Sequence, residues 1–440
     1  MKVQMLSRRR SDYVGETKMD ISRTPRNYAP SIHPFHAERE YVRALNATKL
    51  ERLFAKPFLA SLDGHSDGVH CLRKHPTQLA TMFSGSYNGE IRRWDLPAKT
   101  ATRACQAHSG FTRGLALSPD GSRLISVGDD KMIKIWDPTD LSSPLQTKLS
   151  KYVLHDVDHS WTGEGYATAG ENVQIWDRQR SVPVREYSWG VDSVERIRFN
   201  PVETELLGAV ASDRSILLYD CRGQVPMRKV VLKLKSNSLA WNPMEAFMFT
   251  VANEDYNLYT FDMRNLKQPV QVYINHISAV MDVDYSPSGK EFVSGSYDKT
   301  VRIWPVERGR SREVYHTKRM QRVMCVCWSG DSRFILSGSD EMNLRLWKAQ
   351  ASEKLGTLRP REAASMNYSA RLKEKFAAHP EIRRIARHRQ VPKHVFNGQK
   401  ELRTIKTSQQ RKEGNRRQHS KPGSVPYIPE AKKHVLGEQE

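Results

Sequence analysis

Serine, histidine and aspartate recur within short reach of one another in this 440-residue chain. His276 lies upstream of the stretch FVSGSYDKTVRIWP, residues 292–305, which carries Ser294 and Asp298. An aspartate that orients a histidine, and a histidine that takes the proton of a serine hydroxyl, together make a nucleophile for acyl transfer. The trio returns, however, as His108, Ser126 and Asp130, and histidine and serine are 18 residues apart both times. A catalytic constellation occurs once per site, whereas this one is repeated. No G-x-S-x-G elbow surrounds the serines, and the chain carries no phosphate-binding loop, H-E-x-x-H or dinucleotide fingerprint. Nor do the residues show paired carboxylates in an identifiable pocket. The expectation is a protein with no catalytic residue, no metal, no cofactor and no small-molecule substrate.

The elements that hold these residues repeat as well. Aromatic residues closing strand-like runs fall at Trp94, Trp136, Trp176, Tyr219, Phe261, Trp304 and Trp347, with spacings of 42, 40, 43, 42, 43 and 43. A period of about 40 to 45 residues is that of a four-stranded propeller blade, so seven blades are expected. Period-two runs such as VRIW (301–304) and IKIW (133–136), with turns such as SPDG (118–121) and SPSG (286–289), agree with an all-β fold.

The repeated quartet resembles the structural tetrad of WD-repeat proteins. That resemblance implies that the turn aspartate accepts from histidine, histidine reaches the serine hydroxyl, and serine reaches the tryptophan N–H. The quartets are His65, Ser84, Asn88 and Trp94; His108, Ser126, Asp130 and Trp136; and His276, Ser294, Asp298 and Trp304, the first with Asn88 at the aspartate position. Such buried polar groups persist only when each has a partner. The third repeat has no turn aspartate, the fourth and fifth keep Asp213 and Asp255 but end in Tyr219 and Phe261, and the seventh has Glu341. Blades three to five are therefore expected to lean on apolar packing. Two segments compete to supply the last strand, 57–62 and 353–358. An N-terminal strand at Phe58–Leu62 is favoured, because closure removes an open sheet edge.

The expected division is an N-terminal arm over 1–55, a propeller over 56–350 and a basic, partly helical extension over 351–440. Residues 351–440 hold 21 Lys and Arg against 9 Asp and Glu, and residues 1–55 hold 11 against 6. These surpluses of 12 and 5 leave only 4 of the net +21 for the propeller, so basicity resides in the flanks. Cys71, Cys105, Cys221, Cys325 and Cys327 form no C-x-x-C pair, as expected in a reducing compartment. MKVQMLSRRR lacks the apolar core of a secretory signal, and no run reaches the roughly 18 apolar residues of a membrane span. A soluble cytosolic or nuclear protein without a membrane partner is expected.

In the tail, Tyr368, Leu372 and Phe376 fall on one helical face, and His379-Pro380 ends that helix. Over 381–393, Ile382, Ile385 and Ala386 share a side, with Arg383, Arg384, Arg387 and Arg389 around the rest. The stretch 409–426, with Arg411, Lys412, Arg416 and Arg417, has few apolar anchors and is expected to stay extended until ordered by a partner. Arginine-rich segments suit RNA, since guanidinium groups fork onto phosphates and stack on bases; the alternative is a basic nuclear address. His379, His388, His394 and His419 are too irregular for zinc and belong to the basic surface. In the arm, Tyr41, Leu45 and Leu50 to Phe54 suggest an amphipathic helix leading into the closing strand.

The arm RALNATKLERLFAKPFLASLDGH, the mid-chain WNPMEAFMFTVANEDYNLYTFDMR, SREVYHTKRM, GSDEMNLRLWKAQASEKLG and the tail's RRIARHRQVPK and HSKPGSVP resemble the suppressor-of-fibrillarin (Sof-type) WD-repeat family. The resemblance runs from near residue 1 to about 426. It implies a nucleolar, non-enzymatic assembly factor that works with the U-three snoRNP, pre-rRNA and other small-subunit processome proteins. Animal members also resemble receptors of the cullin-four ubiquitin ligase, whose adaptor reads a [WYF]-D-x-R signature. YDCR, with Tyr219, Asp220 and Arg222, and FDMR, with Phe261, Asp262 and Arg264, satisfy it, whereas WDRQ (176–179) does not. Aspartate after the aromatic is also the ordinary dipeptide of these repeats.

Overall fold

Strand Thr81–Ser86 is buried at every residue, while the outermost strand of the same sheet, Thr100–Gln106, is exposed or half-exposed throughout. That gradient is what radial packing demands: a strand pressed between two adjacent sheets reads as apolar and small, and a rim strand mixes polar positions in. The computed structural model describes residues 35–163 and 165–439, so MKVQMLSRRR lies outside them. The chain forms seven antiparallel sheets, the blades of a β-propeller. The inner strands of neighbouring blades meet around the axis, the last against the first.

The turn that joins the second and third strands of a blade has its own local logic. The residue after the turn position takes a left-handed backbone in six blades: Gly89 (φ 85°), Lys131 (62°), Arg214 (71°), Tyr256 (73°), Lys299 (63°) and Met342 (69°). In five of them the preceding Asx side chain accepts the N–H two residues on: Asn88 from Glu90 at 3.0 Å, Asp130 from Met132 at 3.1 Å, Asp213 from Ser215 at 3.0 Å, Asp255 from Asn257 at 3.1 Å and Asp298 from Thr300 at 3.0 Å. Asp213 and Asp255 are thus used by the turn even without a histidine in their own repeats. At Gly89 a side chain would also collide with the carbonyl oxygens of His108 and Gly110.

Phe58–Leu62 pairs antiparallel with Leu344–Lys348, aligning Leu62 with Leu344 and Ser61 with Arg345. Ala60 and Leu62 enter the core cluster shared by the first and last blades, as the closure argument requires. The sheet order places the N-terminal strand outermost in blade seven.

By packing, the described residues fall into two compact units. One compact unit takes the described part of Met1–Phe54 with Leu355–Ala386; the other takes Ala55–Lys354 with Arg387–Glu440. In the first unit, α1 (His36–Leu53), α2 (Pro360–Lys375) and most of α3 (Pro380–Arg387) pack around Ala44, Leu372 and Ile382, with Tyr41, Leu45 and Phe376 at the edge. Tyr41 Oη donates to Glu381 at 2.8 Å, and Lys373 pairs with Glu51 at 2.7 Å. The apolar end of α1 does not join this core: Leu50, Leu53 and Phe54 are exposed.

In the second unit the tail is helical where an extended chain was expected. α4 (Lys393–Gln418) runs through most of 409–426, because Gln, Lys, Arg and Glu are strong helix formers and need no buried face to stay helical once one end is anchored. The chain then returns to the ring, and Val435–Gln439 adds a fifth strand to the outer edge of blade four.

Candidate functional site

Two of the three quartets close as chains of hydrogen bonds. His276 Nδ1 lies 2.7 Å from Asp298 Oδ2 and its Nε2 2.8 Å from Ser294 Oγ, to which Trp304 Nε1 donates at 2.8 Å. In blade two the corresponding distances are 2.9, 2.8 and 2.9 Å, through His108, Asp130, Ser126 and Trp136. Burial pushes the His276 imidazole below its ordinary pKa against the pull of Asp298. Burial would raise the Asp298 carboxyl, but His276 and Arg302 bring it down to about 2. The geometry then assigns the proton: Nδ1–H donates to a carboxylate, and Nε2 accepts from serine. Ser294 and Ser126 are fully buried.

Blade one is different. His65 Nε2 meets Ser84 Oγ at 2.6 Å, and Trp94 donates to Ser84 at 2.7 Å, but Nδ1 faces Glu90 Oε2 at 3.3 Å, not Asn88. The Asn88 carboxamide is engaged by Ser86 and Ser66 and by the Glu90 N–H, so its acceptor is consumed by the turn. Glu90, two residues on and longer, reaches the ring instead. In blade three Trp176 donates to Thr168 at 2.9 Å, and in blade seven Trp347 donates to Ser337 at 2.9 Å.

Apolar packing is only part of the account for blades three to five. Phe261 and Tyr219 are buried in apolar clusters, but in blade five Thr250 Oγ1 lies 2.7 Å from Thr260 Oγ1 and 2.6 Å from Tyr285 Oη. Asp255 is met by Tyr259 Oη and, at 3.5 Å, by His434 Nδ1 from the tail, which is 2.9 Å from Tyr259 Oη. Burial would push the Asp255 carboxyl up; His434 and Tyr259 hold it below the usual range. A histidine absent from the fifth repeat is therefore supplied from 175 residues away.

Paired carboxylates do exist, contrary to the sequence expectation. A central cavity of about 440 Å³ is lined by Asp158, Asp282 and Asp284 with Arg73, Lys74 and Arg198, among others. Their source is a D-V-D repeated at Asp156–Asp158 and Asp282–Asp284 on inner strands. Asp156 accepts from Ile197 N at 3.2 Å and Asp158 from Phe199 N at 2.8 Å; Asp282 accepts from Val326 N at 2.9 Å and Asp284 from Trp328 N at 2.7 Å. Each pair laces its blade to the next. Arg73 also binds Asp158 at 2.7 Å. Burial would raise Asp156, but Arg198, Arg196 and Arg73 hold it below the carboxylate range, while at Asp284 burial prevails and pushes the carboxyl up. The signal was the copied D-V-D, overlooked because it lies outside the tryptophan periodicity.

The two D-x-R loops differ. Asp220 accepts the Arg222 N–H at 2.9 Å, and the Arg222 side chain is exposed. Asp262 accepts the Arg264 N–H at 3.0 Å and also binds its guanidinium at 2.8 Å, with the guanidinium 4.7 Å above the Phe247 ring. The preceding blades brace both loops: Tyr187 Oη donates to Gly223 O at 2.9 Å, and Arg228 Nη1 to Arg264 O at 3.1 Å. Arg264 is thus committed within its own loop, while Arg222 is presented outward.

Of the basic residues, Arg383, Arg384 and Arg387 on α3, and Arg411, Lys412 and Arg416 on α4, are exposed. Arg417 packs on the Tyr427 ring at 4.9 Å. Arg389 does not join this surface: it pairs with Glu313 at 2.9 Å and donates to Arg312 O. The four tail histidines are all exposed, and two of them also make contacts: His379 packs on Tyr41 with ring centroids 4.4 Å apart, and His394 meets Asp298 O at 3.1 Å. With Gln399 donating to Asn275 O at 2.8 Å and Val395 fully buried, the first turns of α4 are seated on blade six. All five cysteines are free, and burial pushes the Cys71 and Cys327 thiols up to about 12. Among the described residues no helix is long and apolar enough to cross a membrane, and no acid, His and Cys group has metal-ligand geometry.

The Sof1-like domain family matches residues 349–435, and the WD domain, G-beta repeat family matches 56–95, 99–137, 267–305 and 312–348, passing over blades three to five. The chain is 57% identical over 441 residues to "DDB1- and CUL4-associated factor 13" of Homo sapiens, covering 99% of each, and 55% identical to the Xenopus tropicalis protein of that name over the same shares. It is 41% identical over 466 residues to "Protein SOF1" of Saccharomyces cerevisiae, covering 99% of this chain and 95% of that one. Among solved structures, the WD40 β-propeller domain of Doa1 aligns with a TM-score of 0.57 at 18% identity, over 66% of this chain and 96% of that one.

Proposed function

Because the chain belongs to the Sof1-like WD-repeat family, we propose that it is a non-enzymatic assembly factor for the small ribosomal subunit, acting in the nucleolus with the U-three snoRNP, pre-rRNA and other processome proteins. The observation that carries this reading is α4. It holds eight Lys and Arg against two Glu, is fastened to blade six at one end, and exposes Arg411, Lys412 and Arg416 far from that anchor. A cationic rod on a rigid ring suits phosphate contacts that position a particle without reading sequence. The quartets and the D-V-D clamps are spent on cohesion, since their polar atoms face one another.

The test replaces Arg411, Lys412, Arg416 and Arg417 with Glu in the full chain and follows both pre-rRNA binding and sedimentation with pre-ribosomal particles. Four lost phosphate contacts lower the slope of log affinity against log salt by about 3. Unchanged slope and unchanged sedimentation sink the reading.

A second reading, substrate receptor of a cullin-four ligase, is favoured by the relatives named DDB1- and CUL4-associated factor 13 and by the outward Arg222 beside an ordered Asp220 turn.

A further inference from the structure

Two strands join blades out of sequence order, and they are held very differently. Phe58–Leu62 sends Ala60 and Leu62 into the core. Val435–Gln439 buries no residue fully, leaves Leu436 57% exposed, contains Gly437, and pairs with a register break at Val231/Leu232. Blade four is already complete with four strands, so this fifth is a cover. What it covers is RKVVL, Arg228–Leu232, an outer strand with Val230 and Leu232 buried and its hydrogen-bonding edge turned outward. Uncovered, such an edge is a template for another chain.

We propose that the outer edge of blade four is a docking site for an extended segment of a partner protein, and that Val435–Gln439 occupies it in cis as an exchangeable latch. The cis strand shows the chemistry required. Val435 lies opposite Leu232 and packs against the blade's apolar cluster, so the partner carries an aliphatic residue there. Glu438 Oε1 stands 3.8 Å from Arg228 Nη1, so a carboxylate occupies that place. Main-chain pairing supplies the affinity and these two side chains the register. The latch also has a handle outside the edge: Lys433 pairs with Glu413 of α4 at 2.7 Å, and His434 meets Tyr259 at 2.9 Å. A partner that engages α4 therefore loosens the cover. In cis the latch enjoys an effective concentration on the order of millimolar, which keeps the edge closed in the free protein.

The experiment compares the full chain with its V435P/G437P variant, and the probe is a labelled synthetic peptide of residues 428–440. Proline removes the donors that strand pairing needs. Amide exchange over Arg228–Leu232 rises about tenfold or more in the variant, and the probe binds the variant at least about tenfold more tightly than the wild type. A probe carrying E438K binds more weakly than the unaltered one. Because a variant can misfold, a second pair, V231C/G437C, locks the latch through the aligned positions; oxidation abolishes probe binding and reduction restores it. Unchanged exchange over Arg228–Leu232, equal binding of a scrambled probe, or concentration-dependent dimers that trade tails would each overturn the proposal.

Discussion

His65 turns Nδ1 toward Oε2 of Glu90, 3.3 Å away, where blades two and six use the aspartate of the turn. The substitution of roles has a measurable consequence. In double-mutant cycles read by urea unfolding, H65F with E90Q shows a coupling of about 1 kcal/mol, while H65F with N88A shows almost none. A larger coupling to Asn88 than to Glu90 would mean that the carboxamide, and not the carboxylate, serves the ring.

Stability against pH follows from the same imidazole. Burial brings His65 from 6.5 down to about 4, opposed by Glu90. The unfolded chain therefore takes up this proton first as pH falls. The contribution is complete above about 6.5, is lost progressively as pH falls, and is gone near 4. At about 1.4 kcal/mol per unit the ceiling is roughly 3 kcal/mol. Urea unfolding at pH 7.5, 6, 5 and 4 shows the decline, and H65Q makes it shallower by the share of His65, the rest coming from His70, His108, His155 and His276, which burial also pushes down. Below that window Asp298, held at about 2, adds its own loss between its ordinary 3.8 and 2.

The D-V-D clamps predict an unequal pair of variants. D158N keeps an acceptor for Phe199 N but gives up the charge on Arg73 at 2.7 Å, whereas D158A leaves the buried N–H bare. D158A is expected to cost about 1–3 kcal/mol, with the larger loss shown by thermal unfolding and by faster amide exchange at Phe199.

Reversal at the two D-x-R loops separates adaptor capture from folding. R222E alters an exposed side chain and leaves unfolding unchanged, while abolishing co-purification of a cullin-four adaptor. R264E also breaks the ion pair with Asp262 and removes the cation over Phe247, so it lowers stability slightly at this exposed site. Adaptor retained at the wild-type level by R222E shows the signature to be incidental here.

The seven-fold period, the quartets of blades two and six and the closing strand were legible because each is a local pattern: a spacing, a strand alternation, an edge that needs cover. What escaped was non-local or depended on side-chain reach. Glu90 is invisible as a partner until the hairpin shows that Asn88 is already used. His434 is 175 residues from Tyr259, and no repeat register points to it. The chain around 409–418 looked extended because it lacks apolar anchors, yet one end fastened at Val395 suffices for a segment of strong helix formers. Arg389 looked like its neighbours Arg384 and Arg387 until Glu313 claimed it.

That last distinction sets the final prediction. Arg389 lies in a partly buried ion pair with Glu313 at 2.9 Å and donates to the Arg312 carbonyl, so it is a fastening between tail and ring and not a phosphate ligand. Removing one partner of a buried pair strands the other, at a cost of about 3 kcal/mol when fully buried and less here, where Arg389 keeps some exposure. R389A is expected to destabilise the seat of α4, seen as faster proteolysis and amide exchange over Lys393–Gln399, with the salt slope of RNA binding unchanged. R416E is expected to do the reverse, lowering the slope by about 1 and leaving exchange over Lys393–Gln399 as it was. If R389A instead lowers the salt slope and leaves that exchange untouched, its guanidinium serves RNA, and the pairing with Glu313 is not its role.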